Sequence, residues 1–166
     1  MEPIYVSTDT ELEHAVSRCA DSSVIALDTE FARFNTYYPM VGLVQIATQQ
    51  HCFLIDPLAI SNLAPLAELL TRSDLLKVVH AGSEDMEVFQ YALGITPAPV
   101  FDTQIATAAL GVGFSMSYQR LVAHYLSIDV PKEETRSDWL RRPLTASQLQ
   151  YAALDVVYLY RVYFDQ

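Results

Sequence analysis

Apolar residues fall in short runs along the chain, and the spacing within those runs separates strands from helices. Val24-Ile25-Ala26-Leu27 leads directly into Asp28-Thr29-Glu30-Phe31 and predicts a central strand. Residues 41–47 and 52–55 predict the next two strands, with 48–51 as a tight polar turn between them. Three strands with short joins suggest an antiparallel meander. The period then changes. Residues 63–70 read as a helix, 76–79 as a short buried strand, and 83–93 as a helix stopped by Gly94 and Pro97. Val100-Phe101-Asp102 reads as another short strand, followed by helices over 103–110 and 116–126. The longest helical pattern covers 145–164, with Thr145 as its N-cap after Pro143. A meander followed by strand–helix–strand–helix units predicts an α/β fold, in which helices cover a mixed sheet.

A length of 166 residues without repeats or linker-like stretches fits one domain. A hydrophobic share of 51% with only 5 Gly excludes disordered, collagenous and low-complexity chains. Ten Lys and Arg against 20 Asp and Glu leave a net charge of −10, which excludes a protein held to nucleic acid by a general positive field. It does not exclude a nuclease that holds its substrate through metal ions, because such a site is built from carboxylates. Cys19 and Cys52 stand far apart with no C-x-x-C, so neither a disulfide framework nor a cysteine zinc site is expected. They read as small buried thiols in a reducing compartment. The segment Met1-Glu2-Pro3-Ile4-Tyr5 has neither a basic n-region nor an apolar h-region, and no charge-free apolar run reaches about 18 residues. The expectation is a soluble cytoplasmic protein with no membrane partner. The final residues, 161–166, continue a helical pattern without a Gly or Pro stop, which predicts a fragment of a longer protein.

Four carboxylates stand in apolar places. Asp28 and Glu30 are two apart on a strand, so they project from one face about 6–7 Å apart. Two like charges in an apolar run repel and lose hydration, and a divalent cation between them relieves both costs. From D-x-E alone, a frayed strand end that lets both acids reach water remains an equal alternative. Asp85 lies on the same helical arc as Val88, Phe89, Ala92 and Leu93, whereas Glu84, Glu87 and Gln90 fall outside it. A first-turn acid favoured by the helix dipole is the alternative for Asp85. Asp155 is the only charged residue between Leu144 and Tyr160, in a helix apolar nearly all round, where a lone carboxylate is costly without a cation. Tyr151 lies four residues earlier and shares its face, although a core tyrosine would read the same way. Four acids suit two hard divalent ions with oxygen ligands, and such a pair can clamp the attacking and leaving oxygens of a phosphodiester.

The combination of motifs is specific. It comprises Ala26-Leu27-Asp28-Thr29-Glu30-Phe31, Thr36-Tyr37-Tyr38-Pro39, Leu43-Val44-Gln45 and Leu54-Ile55-Asp56-Pro57. His80-Ala81-Gly82-Ser83-Glu84-Asp85, Glu87-Val88-Phe89 and Asp102-Thr103-Gln104 follow, then Ser137-Asp138-Trp139-Leu140 and Tyr151-Ala152-Ala153-Leu154-Asp155. Nearly end to end, the chain resembles the tyrosine-type branch of the DEDD superfamily of 3′→5′ exonucleases, and more narrowly the exonuclease domain of the bacterial ribonuclease D family. The histidine-type branch would want His where this chain has Gln150. The resemblance implies a ribonuclease H-like mixed sheet with an antiparallel three-strand meander and two parallel strands. It implies that Asp28, Glu30 and Asp155 hold one ion, that Asp28 bridges to a second near Asp85, and that Tyr151 orients the attacking water. Two divalent cations, Mg²⁺ or Mn²⁺, follow as cofactors. With a reference pKa of about 10, a tyrosine serves better to position water than to take its proton at pH 7. RNA with a single-stranded 3′ end, transfer-RNA precursors above all, is the implied partner, and nucleoside 5′-monophosphate the product. The helical nucleic-acid-binding domains that follow the exonuclease domain in bacterial members are not in these 166 residues, and no obligate protein partner is evident.

Other residues carry weaker signals. His80 either hydrogen-bonds near the substrate or packs at a strand end. Asp102 reads as the N-cap of the following helix rather than a metal ligand. Lys132, Arg136, Arg141 and Arg142 put four of ten basic residues in eleven positions and either meet the RNA backbone or form a solvated loop diluted by Glu133, Glu134 and Asp138. Phe31 either wedges against the terminal base or packs in the core. Trp139 reads as a packing anchor. A catalytically idle nucleic-acid-binding module would be expected to lose one of the five site residues, and all five are present. A DNA exonuclease would use the same motifs, since the choice between RNA and DNA rests on contacts to the 2′-OH. The ribonuclease-D-like segments outside the core motifs favour RNA.

Overall fold

A computed structural model describes residues 1–33, 37–131, 134 and 137–166. Its elements, in chain order, are β1 (Pro3–Val6), α1 (Asp9–Ala20), β2 (Val24–Ala32), β3 (Met40–Ala47), β4 (Cys52–Ile55), α2 (Ala64–Thr71), β5 (Leu76–Val79), α3 (Ser83–Leu93), β6 (Val100–Asp102), α4 (Thr103–Ala109), α5 (Tyr118–Leu126) and α6 (Ala146–Asp165). The strands form one sheet in the order β1-β4-β3-β2-β5-β6. β3 pairs antiparallel with both β2 and β4, which is the expected meander, and β5 and β6 add in parallel beyond β2.

β1 and α1 extend the expected architecture. β1 pairs in parallel with β4 at the opposite end of the sheet from β6. α1 buries only Leu12, Ala15 and Cys19, spaced three and four apart, so one narrow apolar stripe holds an otherwise polar helix. Its start is written in the sequence. Thr8 accepts from the Glu11 backbone N–H at 3.2 Å, and the Glu11 carboxylate reaches back to the Thr8 N–H at 3.1 Å, a reciprocal cap. α6 begins in the same way, with Thr145 and Gln148 capping each other. Cys19 and Cys52 are buried, and burial pushes both thiols up to about 12. Among the described residues, no helix is long and apolar enough to cross a membrane.

The strand period of two divides the core between the faces of the sheet. Ile25 and Leu27 join Val44, Ile46, Phe53, Ile55 and Val79 under α1, α2 and α3. Ala26 joins Leu43, Ala47, Cys52, Leu54 and Val78 under α6. The alternation continues along β2, so Asp28 and Glu30 belong to the α6 side and Thr29 to the α3 side. Pairing of β2 with β3 shifts after Glu30. Glu30 faces Leu43 and Phe31 faces Val41, which leaves Gly42 as the extra residue of a bulge. A Cβ on Gly42 would stand 2.5 Å from the Trp139 carbonyl oxygen, so only glycine fits between the bulge and the chain that leads into α6.

Candidate active site

Asp28 and Glu30 meet Asp155 of α6. One carboxylate oxygen from each lies within 4.8 Å of the others. Asp155 is 7% exposed, and its Oδ1 has no hydrogen-bond partner. The three acids line a cavity of about 210 Å³ with His80, Tyr118, Gln119, Tyr151 and Leu159. None of them takes part in an ion pair among the described residues. Asp85, the third residue of α3, is buried on the opposite side of β2 together with Val88 and Phe89. Thr29, between the two strand acids, reaches to that side and donates its hydroxyl to Asp85 Oδ1 at 2.5 Å. The helical phase expected for Asp85 therefore holds, with Glu84 exposed beside it; Ala92, placed by the same phase on the apolar arc, is exposed.

The crowding shows in the protonation of the acids. Burial, then the charges of Asp85, Asp155 and Glu30, drive Asp28 far above the usual carboxylate range. Burial, then Asp155 and Asp85, lifts Glu30 to about 9. Burial lifts Asp155 to about 7 against the opposing pull of the Tyr151 hydroxyl, and lifts Asp85 to about 6 against that of Thr29. Three convergent carboxylates, an unpartnered oxygen and no neutralising side chain form an all-oxygen donor set that fits a hard divalent cation. Tyr151 is pushed well up, first by burial and then by Asp155, Glu30 and Asp28, so its phenol keeps its proton.

Further residues surround this geometry, and one of them, Tyr118, the sequence did not single out. Tyr118, at the start of α5, donates its hydroxyl to the carbonyls of Leu154 at 3.0 Å and Asp155 at 2.5 Å, fixing α6 at the residue that supplies the third acid. Gln45 pairs with Asp28 across the strands, is fully buried, and leaves both amide atoms unpartnered. His80 follows directly on β5, as the strand-end description expects, and lines the cavity. Its Nδ1 lies 2.9 Å from Thr103 Oγ1, which itself donates to the Val79 carbonyl, so Nδ1 carries the proton in this network. Nε2 is buried and makes no hydrogen bond of good geometry. Burial lowers the His80 pKa against the pull of Asp102 and the Met116 carbonyl.

The remaining candidates divide. Asp102 caps α4 as expected, accepting from the N–H groups of Gln104 and Ile105, and also takes those of Ala81 and Gly82. Trp139 is 2% exposed and packs near Tyr151, with ring centroids 6.2 Å apart. Phe31 is half-buried beyond the bulge and does not line the acidic cavity. Arg142 requires a correction. It is not a free contact for an RNA backbone, because its guanidinium holds Asp56 through Nε and Nη2, both at 2.7 Å, and also donates to the carbonyls of Gly42 and Trp139. Arg141 is exposed. Lys132, Arg136 and Thr36 lie outside the described residues.

A mixed sheet whose central strand and last helix converge three acids over a cavity is the frame of a metal-using nuclease, and the chain belongs to the 3′-5′ exonuclease family, whose model matches residues 3–165. Within that family it is 48% identical over 159 residues to ribonuclease D of Pseudomonas paraeruginosa, covering 96% of this chain and 42% of the relative. It is 44% identical over 154 residues to ribonuclease D of Escherichia coli, covering 93% and 41%. The crystal structure of Escherichia coli RNase D, an exoribonuclease involved in structured RNA processing, superposes with a TM-score of 0.94 at 41% identity, over 99% of this chain and 45% of that one. The Aedes aegypti Nibbler EXO domain superposes with a TM-score of 0.90 at 25% identity, over 98% and 86%. The chain thus spans less than half the length of the curated relatives it matches.

Proposed function

We propose that this chain is the catalytic domain of a two-metal-dependent 3′→5′ exoribonuclease, releasing nucleoside 5′-monophosphates from RNA 3′ ends. The observation that carries this reading is the convergence of Asp28, Glu30 and Asp155 within 4.8 Å beside Tyr151, with an unpartnered carboxylate oxygen among them. Asp28, Glu30 and Asp155 would hold one divalent cation, and Asp28 with Asp85 the second, Mg²⁺ or Mn²⁺ in each case. Such ions supply Lewis acidity and acidify bound water. Tyr151 keeps its proton, so it orients the attacking water by hydrogen bonding and does not deprotonate it. Thr29 fixes one oxygen of Asp85, and Tyr118 fixes the backbone of Asp155, so both acids enter the reaction already oriented. His80, at the cavity wall, and Phe31, Lys132 and Arg136 are the candidates for contact with the substrate. Substrates are RNAs with single-stranded 3′ ends, transfer-RNA precursors among them, met in the cytoplasm without an obligate protein partner. The greater length of the relatives suits a longer protein in which additional nucleic-acid-binding domains accompany this one.

Incubation with matched 3′-labelled RNA and DNA oligomers tests the proposal. Release of labelled 5′-monophosphate from RNA with Mg²⁺ or Mn²⁺, and none in excess chelator, is expected. Full activity in chelator would sink the mechanism, and preference for the DNA oligomer would reassign the substrate.

A further inference from the structure

Three tyrosines stand together on the surface, two of them just before β3 and one on α3. Tyr37 is 85% exposed, Tyr38 51% and Tyr91 48%. Tyr37 meets Tyr38 edge-on at 5.0 Å between centroids, and Tyr38 lies over Tyr91 at 4.2 Å. Ile105, Leu110 and Phe114 are exposed as well, but this group is set apart by rings that meet one another, and it presents π-faces rather than an apolar groove. Arg33 stands with them. Its guanidinium, half exposed, pairs with Glu87 at 2.6 Å, one turn before Tyr91 on α3. Tyr91 feels the charges of Glu87 and Arg33 together with the neighbouring Tyr38 and Tyr37, which places all five groups in one patch.

Two members of the patch are tied by the chain to site residues. Arg33 follows the end of β2, three residues after Glu30, and α3 rises from Asp85 to Tyr91, about 9 Å along its axis at about 1.5 Å per residue. That span corresponds to about three stacked nucleotides at about 3.4 Å each. A net charge of −10 leaves little general attraction for a polyanion, so affinity for a single strand has to come from local contacts. Stacking on exposed rings supplies such contacts without sequence preference, and Arg33 at their edge shares its charge with Glu87.

We propose that Tyr37, Tyr38 and Tyr91, with Arg33 at their edge, form a stacking platform for the nucleotides just upstream of the scissile bond in single-stranded RNA. This rests on the exonuclease reading of the acidic site and adds a binding subsite to it. Because the rings and not a charged field hold the strand, affinity depends on salt far less than it would for a basic groove.

The test compares a diribonucleotide with a hexaribonucleotide. The parent chain has the lower KM for the hexamer. Tyr37→Ala/Tyr91→Ala raises the hexamer KM by about tenfold or more, so that the advantage of length largely disappears. Tyr37→Phe/Tyr91→Phe, which keeps the rings and loses the hydroxyls, restores it. Phe114→Ala, which removes another ring, 91% exposed and outside the patch, leaves the length preference intact. Binding of a fluorescent hexamer in excess chelator, where no hydrolysis is expected, separates this proposal from the catalytic one. Tight binding lost in the double alanine variant supports the platform even if the chain hydrolyses nothing. Equal binding by parent and double alanine variant, or no hexamer binding by the parent, overturns it and leaves the rings as a surface for a protein partner.

Discussion

Two buried clusters of acid sit close to the same sheet and are treated in opposite ways. Asp56, 2% exposed, accepts from Arg142 through two nitrogens, from the Tyr5 hydroxyl at 2.5 Å and from the Leu58 N–H at 3.0 Å. Burial would raise its pKa, but these donors hold it below the usual range. Asp28, Glu30 and Asp155 pay the same desolvation with no cationic side chain beside them, and their pKa values rise. A buried carboxylate with its donors supplied by the fold is a structural joint. One left short of donors is a site that something from outside must complete.

The largest expected effect is at the incomplete cluster. Asp28→Asn should lower turnover by about three orders of magnitude. The metal-free variant should melt at the same temperature as the parent or higher, because an amide enters the crowded site without the proton that Asp28 must take up on folding. A large drop in that melting temperature would count against the crowded-acid account. Arg142→Met does the converse at the completed cluster. It strands Asp56 and should cost about 3 kcal/mol of stability, toward the low end for a broken buried pair because Arg142 is 25% exposed. Urea titrations giving a loss below about 1 kcal/mol would show that Asp56 finds other donors.

Tyr151→Phe removes one hydroxyl and leaves the ring packed. Turnover should fall by about 10²-fold with little change in stability, whereas Tyr158→Phe, beyond Asp155 on α6, should leave turnover nearly unchanged. Similar kinetics for the two variants under saturating Mn²⁺ would reduce Tyr151 to packing. The smallest effect is in pH dependence. Asp155 at about 7 and Glu30 at about 9 hold protons in the folded chain that the unfolded chain has released. Their stabilising contribution is complete below about pH 4 and is lost as pH rises through those folded values. The metal-free melting temperature should therefore fall by a few degrees from pH 5 to pH 8. Asp56 has the opposite sign, and its contribution is lost only on acidification below about pH 4. A melting temperature that climbs steadily from pH 5 to pH 8 in chelator would contradict the shifts at the site.

Local pattern carried much of this into view. β4, β5, α3 and β6 have the ends that the apolar runs and the Gly94 stop predict, because those signals act within a few residues. The metal-ligand candidates were legible because a charge in an apolar run violates a local rule. β1 escaped notice as four residues beginning with Pro3, and α1 because its stripe is three residues wide in an otherwise polar segment. Its Thr8–Glu11 cap was a readable signal. The role of Arg142 was not legible, since its partner lies 86 positions away, and Tyr118 meets the backbone of Asp155 across 37. Nothing in the local sequence of an arginine or a tyrosine names a partner at that range.

Gly42 stands where these distant connections are brought into a common frame. Its carbonyl receives Arg142 at 2.6 Å, and its missing side chain admits the Trp139 backbone against the β2–β3 bulge. One half of the acidic cluster comes from β2 and the other from α6, and this contact relates the alignment of the one to the other. It acts as a datum in the engineering sense, a fixed point from which the spacing of parts made separately is measured. Any side chain there displaces the approach to α6 while leaving every acid chemically intact. The spacing of the three carboxylates is thus adjustable from a position with no functional group of its own.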